Sequence, residues 1–133
     1  MANRTQNNQS IHDRVIEIAA SRLDPVNYDI YKNQGQQKNA GVGDNYPDII
    51  LTKKNKLTLE YIIEVETEDS VNITEATNQW KKYSKEIKAS FFILVPLKTK
   101  NLAINLCKKI GITARFGTYE LDKFGNIIKI SYE

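Results

Sequence analysis

The chain has 133 residues, of which 41% are hydrophobic and 26% are charged, and its formal net charge is +3. This composition is typical of a globular protein, and the length suits one domain over residues 1–133. A single cysteine excludes an intrachain disulfide, so we expect a cytoplasmic protein. Residues 1–9 are polar and expected to be flexible. Because no signal peptide or membrane-spanning stretch is evident, no membrane partner is expected.

The first predicted element is a helix that begins at an N-cap on Ser10 and ends near Asp24, before Pro25. Its apolar residues recur at helical spacing and are Ile11, Val15, Ile18 and Ala19. His12 falls on the same side, where a lone histidine is more often a packed, hydrogen-bonded core residue than a ligand. Glu17 falls on the opposite side and is expected to face solvent.

Three strands are predicted next. Residues 27–32 alternate weakly as a strand, and residues 33–43 are polar, glycine-rich and predicted to form a loop. The apolar runs at 46–51 and 57–66 are separated by the polar segment TKKNK. We therefore expect these two runs to pair as an antiparallel hairpin.

A second helix is predicted from Asn72, because Glu75 three residues later completes an N-cap signal. Its apolar stripe consists of Ile73, Ala76, Trp80, Tyr83 and Ile87. The continuously apolar run 91–96 predicts a strand covered on both faces, and a third helix ends at Gly111. Two short strands around a turn at 124–126 follow. The predicted fold is α/β, with a mixed central sheet flanked by helices in the order αβββαβαββ.

Three carboxylates are expected to meet at the central hairpin. Because side chains alternate along a strand, Glu64 and Glu66 point to one face while Ile63 and Val65 point to the other. Asp48 lies in the preceding strand. Neighbouring carboxylates repel one another unless a hard divalent cation neutralises them, so the pattern predicts a Mg²⁺ or Mn²⁺ site. The alternative is that these acids face water on a half-exposed strand, but a central apolar strand disfavours it.

The residues around these acids resemble the PD-(D/E)XK phosphodiesterase superfamily. Pro47-Asp48 is similar to the family's PD, and Glu64-Val65-Glu66 is similar to its (D/E)XK in an E-x-E variant. The predicted order of elements over about residues 10–96 also agrees with the family core. The C-terminal helix and hairpin, residues 98–133, would be additional. The resemblance implies a restriction-endonuclease-like fold.

A second resemblance is to the QxxxY element of the RecB-like branch of that superfamily. Gln79 and Tyr83 carry it and lie on neighbouring positions of one helix face. The resemblance implies a catalytic role for both, whereas the alternative places Tyr83 in the core and Gln79 in solvent. Glu66 stands where most members have a lysine. Either Lys81 or Lys82 replaces that cation, or Glu66 completes a second metal site.

The resemblance implies a metal-dependent deoxyribonuclease. Its catalytic residues would be Asp48, Glu64, Glu66, Gln79 and Tyr83, and its metal ligands would be Asp48, Glu64, Glu66 and the backbone carbonyl of Val65. The cation would be Mg²⁺ or Mn²⁺, and a water activated by it would attack a DNA phosphodiester. No glycine-rich phosphate loop is present, so no nucleotide cofactor is expected.

DNA is the expected partner. The second helix carries a lysine cluster that includes Lys88, and its expected phosphate contacts are Lys81, Lys82 and Lys85. Such a cluster by itself is more often a solvated helix face. One site per chain would require a homodimer or sequential nicking to cut both strands. Two alternatives remain open: a catalytically inactive nuclease-like module that binds DNA or assists assembly, and a structure-specific, junction-resolving endonuclease.

Overall fold

A computed structural model describes residues 4–35 and 38–133. Six strands form one sheet in chain order, and they are β1 Tyr28–Lys32, β2 Ile49–Lys53, β3 Leu59–Val65, β4 Ser90–Pro96, β5 Arg115–Leu121 and β6 Ile127–Tyr132. Strands β1, β2 and β3 pair antiparallel, β3, β4 and β5 pair parallel, and β5 and β6 form an antiparallel hairpin. The predicted α/β class with a mixed sheet is confirmed, and so is the antiparallel pairing of the central hairpin.

Helices α1, α2 and α3 complete the described fold in the expected order. Helix α1 spans Gln6–Ser21 and helix α3 spans Lys100–Ile110, which ends at Gly111 as predicted. Helix α2 covers residues 73–86. Within the described part of the chain, no helix is both long and apolar enough to cross a membrane.

Helix α1 begins earlier than predicted. Its N-cap is Thr5, whose side chain accepts the backbone N–H of Asn8 at 3.1 Å, so the prediction of a cap at Ser10 was wrong. The first turn is polar and carries no apolar periodicity, which is why the sequence pattern did not reveal it. Of residues 1–9, expected to be flexible, positions 1–3 lie outside the described residues, and the helix already includes Gln6.

Helix α2 contains a π-helical turn. Its consecutive segments are α-helical Ile73–Glu75, π-helical Ala76–Trp80 and α-helical Lys81–Glu86. Asn72 is the N-cap, as predicted, and its side chain accepts the N–H of Glu75 at 2.9 Å. The wider π turn changes which residues of the first turn face the sheet. Glu75 is therefore buried, whereas Ile73 is 43% exposed, contrary to the predicted stripe.

The sheet separates two hydrophobic clusters. Helix α1 packs on one face, where Ile63 and Val65 are buried, and helices α2 and α3 pack on the other face, where Ile62 lies. The alternation along β3 therefore directs Glu64 towards the α2 face. Beyond the end of β3, the N–H of Glu66 donates to the carbonyl of Leu94 at 2.9 Å. The strand direction is thus continued to Glu66 beside β4.

Candidate active site

Asp48 and Glu64 lie opposite each other at the ends of β2 and β3. The strand register pairs Ile49 with Ile63, which places Asp48 across from Glu64. The N–H of Asp48 donates to Oε1 of Glu64 at 2.9 Å, and Oδ2 of Asp48 accepts the N–H of Val65 at 2.8 Å. Each carboxylate therefore takes up a backbone donor of the facing strand end. This exchange fixes the position of both side chains.

Glu64, Glu66 and Glu75 form what we call the carboxylate cluster. One oxygen from each lies within 4.8 Å of the others, and all three residues are buried. Glu75 reaches the cluster from the first turn of α2. In the sequence it was interpreted only as part of the Asn72 cap signal. Its place in the site depends on the π turn, which no apolar pattern revealed.

The cluster holds its protons more tightly than ordinary carboxyl groups. Burial raises the pKa of Glu64 well above 4.5, and the charge of Asp48 raises it further. Burial likewise raises the pKa of Glu66 well above 4.5, followed by the charges of Glu75 and Glu64. The pKa of Glu75 is also raised, mainly by burial, and its side chain hydrogen-bonds to Glu66. Buried negative charge is thus in excess here, and protons or cations must offset it.

His12 is a buried partner of Asp48. As expected it is packed and hydrogen-bonded, with Nε2 3.1 Å from Oδ2 of Asp48 and Nδ1 3.0 Å from Oδ1 of Asp13. Burial disfavours the charged imidazole, but the Asp48 carboxylate outweighs this effect, so the pKa of His12 is raised. The helical pattern placed His12 in the core without showing that its partner is a site carboxylate. Helix α1 thereby helps to orient Asp48, while Glu17 is exposed as predicted.

Arg4 is a cation of the site that the sequence analysis missed. Its side chain is 6% exposed and pairs with Glu66, with Nη2 3.0 Å from Oε1. The same nitrogen donates to the carbonyl of Val65 at 3.2 Å, and Nε donates to Oγ1 of Thr67 at 3.1 Å. The Val65 carbonyl, predicted to bind metal, thus accepts a guanidinium N–H. Arg4 is far from these partners along the chain, and no short motif links them.

Gln79 and Tyr83 do meet on helix α2. When the Gln79 amide oxygen accepts the Tyr83 hydroxyl at 2.8 Å, the amide nitrogen lies 3.0 Å from Oε2 of Glu75. Tyr83 is 4% exposed and packs edge-on against Phe91 in the core. The core position expected for Tyr83 is therefore confirmed, whereas Gln79 is half-buried and hydrogen-bonded and does not face solvent. The pair contacts the carboxylate cluster through Glu75, and Tyr83 also packs in the core.

A cleft of about 720 Å³ opens onto the site. Asp48, Glu64, Glu75, Gln79 and Tyr83 line it, together with His12 and the basic residues Arg4, Lys38 and Lys82. The loop after β1 forms one wall, and helix α2 forms the other. Of the lysines predicted to contact nucleic acid, Lys82 is among the lining residues, whereas Lys81 and Lys85 are exposed outside the lining. Glu66 is 0% exposed and lies behind the cleft surface.

Asn33 organises the loop wall of the cleft. Its side-chain nitrogen donates to the carbonyls of Ala40 and Pro47, each at 2.7 Å. Its side-chain oxygen accepts the backbone N–H groups of Asn39 and Ala40. These bonds tie both ends of the loop to one buried side chain. The predicted loop is therefore held beside Asp48.

Comparison of the chain with known protein families, with curated proteins and with solved structures found no match. Its own features define it as an α/β protein with a six-stranded mixed sheet and a buried carboxylate cluster beside a cleft.

Proposed function

We propose that this chain is a Mg²⁺- or Mn²⁺-dependent phosphodiesterase that cleaves DNA, with a restriction-endonuclease-like fold of the PD-(D/E)XK type. One observation carries the proposal. Asp48 and Glu64 face each other across an antiparallel hairpin, and Glu66 and Glu75 are buried beside Glu64. A structural role alone would not require so many acidic groups in one place, because uncompensated buried charge is strongly destabilising.

The donor set fits a hard divalent cation. Among the residues that the structure describes, the acidic groups around the cleft outnumber the two cationic partners in contact with them, which are Arg4 on Glu66 and His12 on Asp48. Carboxylate oxygens are the ligands that Mg²⁺ and Mn²⁺ prefer. Asp48 and Glu64 would hold the ion, with the other carboxylates of the cluster close by. When bound, such an ion supplies a water of lowered pKa and neutralises charge on a phosphate.

The surrounding residues prepare these ligands. Oδ2 of Asp48 is held by His12 and by the N–H of Val65, while Oδ1 has no hydrogen-bond partner among residues 4–35 and 38–133. Oε1 of Glu64 is held by the N–H of Asp48, and its Oε2 is likewise free within that part of the chain. One oxygen of each carboxylate is thus fixed and the other is available. Such partners orient ligands and reduce the freedom lost on binding.

The test is a DNA cleavage assay with Mg²⁺ or Mn²⁺ on plasmid and linear DNA. We expect Asp48→Ala and Glu64→Ala to abolish cleavage by the folded protein, as checked by circular dichroism. Glu17→Ala is the matched control, because Glu17 is exposed and does not line the cleft. Undiminished cleavage by both site variants would refute the assignment.

A second candidate function is a DNA-binding or assembly module without catalysis. It is favoured by Arg4, which neutralises Glu66 and occupies the carbonyl of Val65. Binding of DNA without cleavage in either metal would support this candidate. A junction-resolving activity and a homodimer remain predictions, which comparison of nicked, linear and four-way-junction DNA and measurement of solution mass would test.

A further inference from the structure

One guanidinium nitrogen of Arg4 makes no hydrogen bond to the described residues. Nε donates to Thr67, and Nη2 faces the Val65 carbonyl, Oε1 of Glu66 and Oγ of Ser70. Nη1 has no hydrogen-bond partner within the described ranges 4–35 and 38–133. The side chain is 6% exposed and lines the cleft. A buried guanidinium with two unused N–H donors at a cleft is prepared for an anionic ligand.

Glu66 is held from three directions. Its Oε1 accepts from Nη2 of Arg4 at 3.0 Å, and its Oε2 accepts from Nε1 of Trp80 at 3.1 Å. Its backbone carbonyl accepts the hydroxyl of Tyr119 at 2.8 Å. The side chain is fully buried. Glu66 therefore has the contacts of a rigid anchor for Arg4.

We propose that Arg4 is the phosphate-contacting cation of the cleft and that Glu66 anchors it instead of binding metal. This inference rests on the proposed function, because it takes the ligand to be a nucleic-acid phosphate. The two N–H groups of the free Nη1 can donate to phosphate oxygens in charge-assisted hydrogen bonds, and the anchoring of the side chain reduces the freedom lost on binding. Lys81 and Lys82, the cations favoured from the sequence, are both exposed and lack such anchoring contacts within the described structure.

The anchor role also accounts for glutamate at the position of the family's lysine. A lysine there would place its charge on the buried strand end itself. Glu66 instead recruits a charge from the N-terminal segment, at Arg4. The charge at the motif position is thus negative instead of positive, and Arg4, the partner of Glu66, supplies the cation. The cleft therefore keeps a cation beside Asp48 and Glu64.

The test measures DNA binding without cleavage. Fluorescein-labelled single-stranded and duplex oligonucleotides are titrated with the Asp48→Asn protein in Mg²⁺ over a series of salt concentrations. Adding Arg4→Met should weaken binding by roughly 10-fold at low salt and reduce the salt dependence by about one phosphate contact. Arg14→Met is the matched control, since Arg14 is an exposed arginine of α1 that does not line the cleft, and should leave binding unchanged.

A second variant separates binding from folding. Arg4→Met alone leaves Glu66 without its cation and should lower the melting temperature. Adding Glu66→Gln removes the buried charge, so the melting temperature should recover while DNA binding remains weak. Recovery of both would mean that Arg4 only neutralises Glu66, and it would overturn the proposal. Unchanged binding by Arg4→Met, or no salt-dependent binding by the parent protein, would overturn it as well.

The proposed function fails in a different way. It fails when the wild-type protein does not cleave DNA in Mg²⁺ or Mn²⁺. The role of Arg4 is measured by affinity and its salt dependence, so it can hold in a protein that binds DNA without cutting it. The two failures are therefore distinguishable.

Discussion

The metal-free protein should lose stability as pH rises through the neutral range. The carboxyl groups of Glu64, Glu66 and Glu75 have folded-state pKa values above 4.5, first because of burial. Below pH 4.5 they are protonated in both the folded and the unfolded chain. As pH rises, the unfolded chain releases protons that the folded chain retains, so unfolding becomes more favourable. The pKa of His12 is raised from 6.5, so the folded chain also retains this proton longer than the unfolded chain, and stability again falls as pH rises above 6.5.

The size of the effect follows from proton linkage. Each proton retained only by the folded state lowers the free energy of unfolding by about 1.4 kcal/mol per pH unit. Retention of one such proton over two pH units would therefore lower the free energy of unfolding by about 2.7 kcal/mol. A domain of ordinary stability has only about 5–15 kcal/mol in total. The loss should be visible in urea unfolding curves.

The assay is urea unfolding in EDTA across this pH range, followed by circular dichroism. Glu64→Gln should flatten the pH dependence, because it removes one of the retained protons. Asp29→Asn is the control, since Asp29 does not line the cleft and its pKa is lowered by the backbone N–H of Asn55 and then by Lys54. The ionised Asp29 carboxylate therefore stabilises the fold at every pH above 3.8, and this contribution is lost only as the pH falls below that value. Stability that stays level or rises from pH 6 to 8 in EDTA would refute the reasoning.

Two substitutions test hydrogen bonds that hold Glu66 and the helix of Glu75 in place. Tyr119→Phe removes the donor to the buried Glu66 carbonyl and should lower the free energy of unfolding by about 1–3 kcal/mol, whereas Tyr31→Phe at an exposed tyrosine should not. Asn72→Ala removes the cap of the helix that carries Glu75 and should lower it by about 1 kcal/mol. Urea unfolding measures both, and wild-type stability in either variant would contradict the assigned contact.

Local patterns in the sequence predicted much of the fold. Alternation at 57–66 and the run at 91–96 identified β3 and β4, and Gly111 marked the end of α3. Each of these signals can be found within a short stretch of sequence, because burial of one face of a strand or helix gives that stretch its own apolar spacing. The start of α1 was missed, since its first turn is polar and the cap at Thr5 is equivalent in chemistry to one at Ser10.

The candidate site was predicted only where its residues share a short motif. The meeting of Asp48 and Glu64 was expected from the pairing of their two strands, and the structure supplies the register that places them opposite each other. Arg4 and Glu75 did not follow from the sequence. Arg4 approaches Glu66 through tertiary packing, and Glu75 turns inward because α2 has a π turn. Neither a distant polar contact nor an added residue in a helical turn leaves a periodic signal.

Localised binding of Mn²⁺ tests the central claim most directly. Paramagnetic Mn²⁺ broadens the NMR signals of nearby protons, so the backbone amides of Asp48 and Val65 and the indole N–H of Trp80 report on the cleft. We expect these signals to broaden first as Mn²⁺ is added, and Mg²⁺ in excess to reverse the effect. Glu64→Gln should require a higher Mn²⁺ concentration for the same broadening. Sharp signals from these three groups, while amides elsewhere broaden, would contradict a metal site between Asp48 and Glu64.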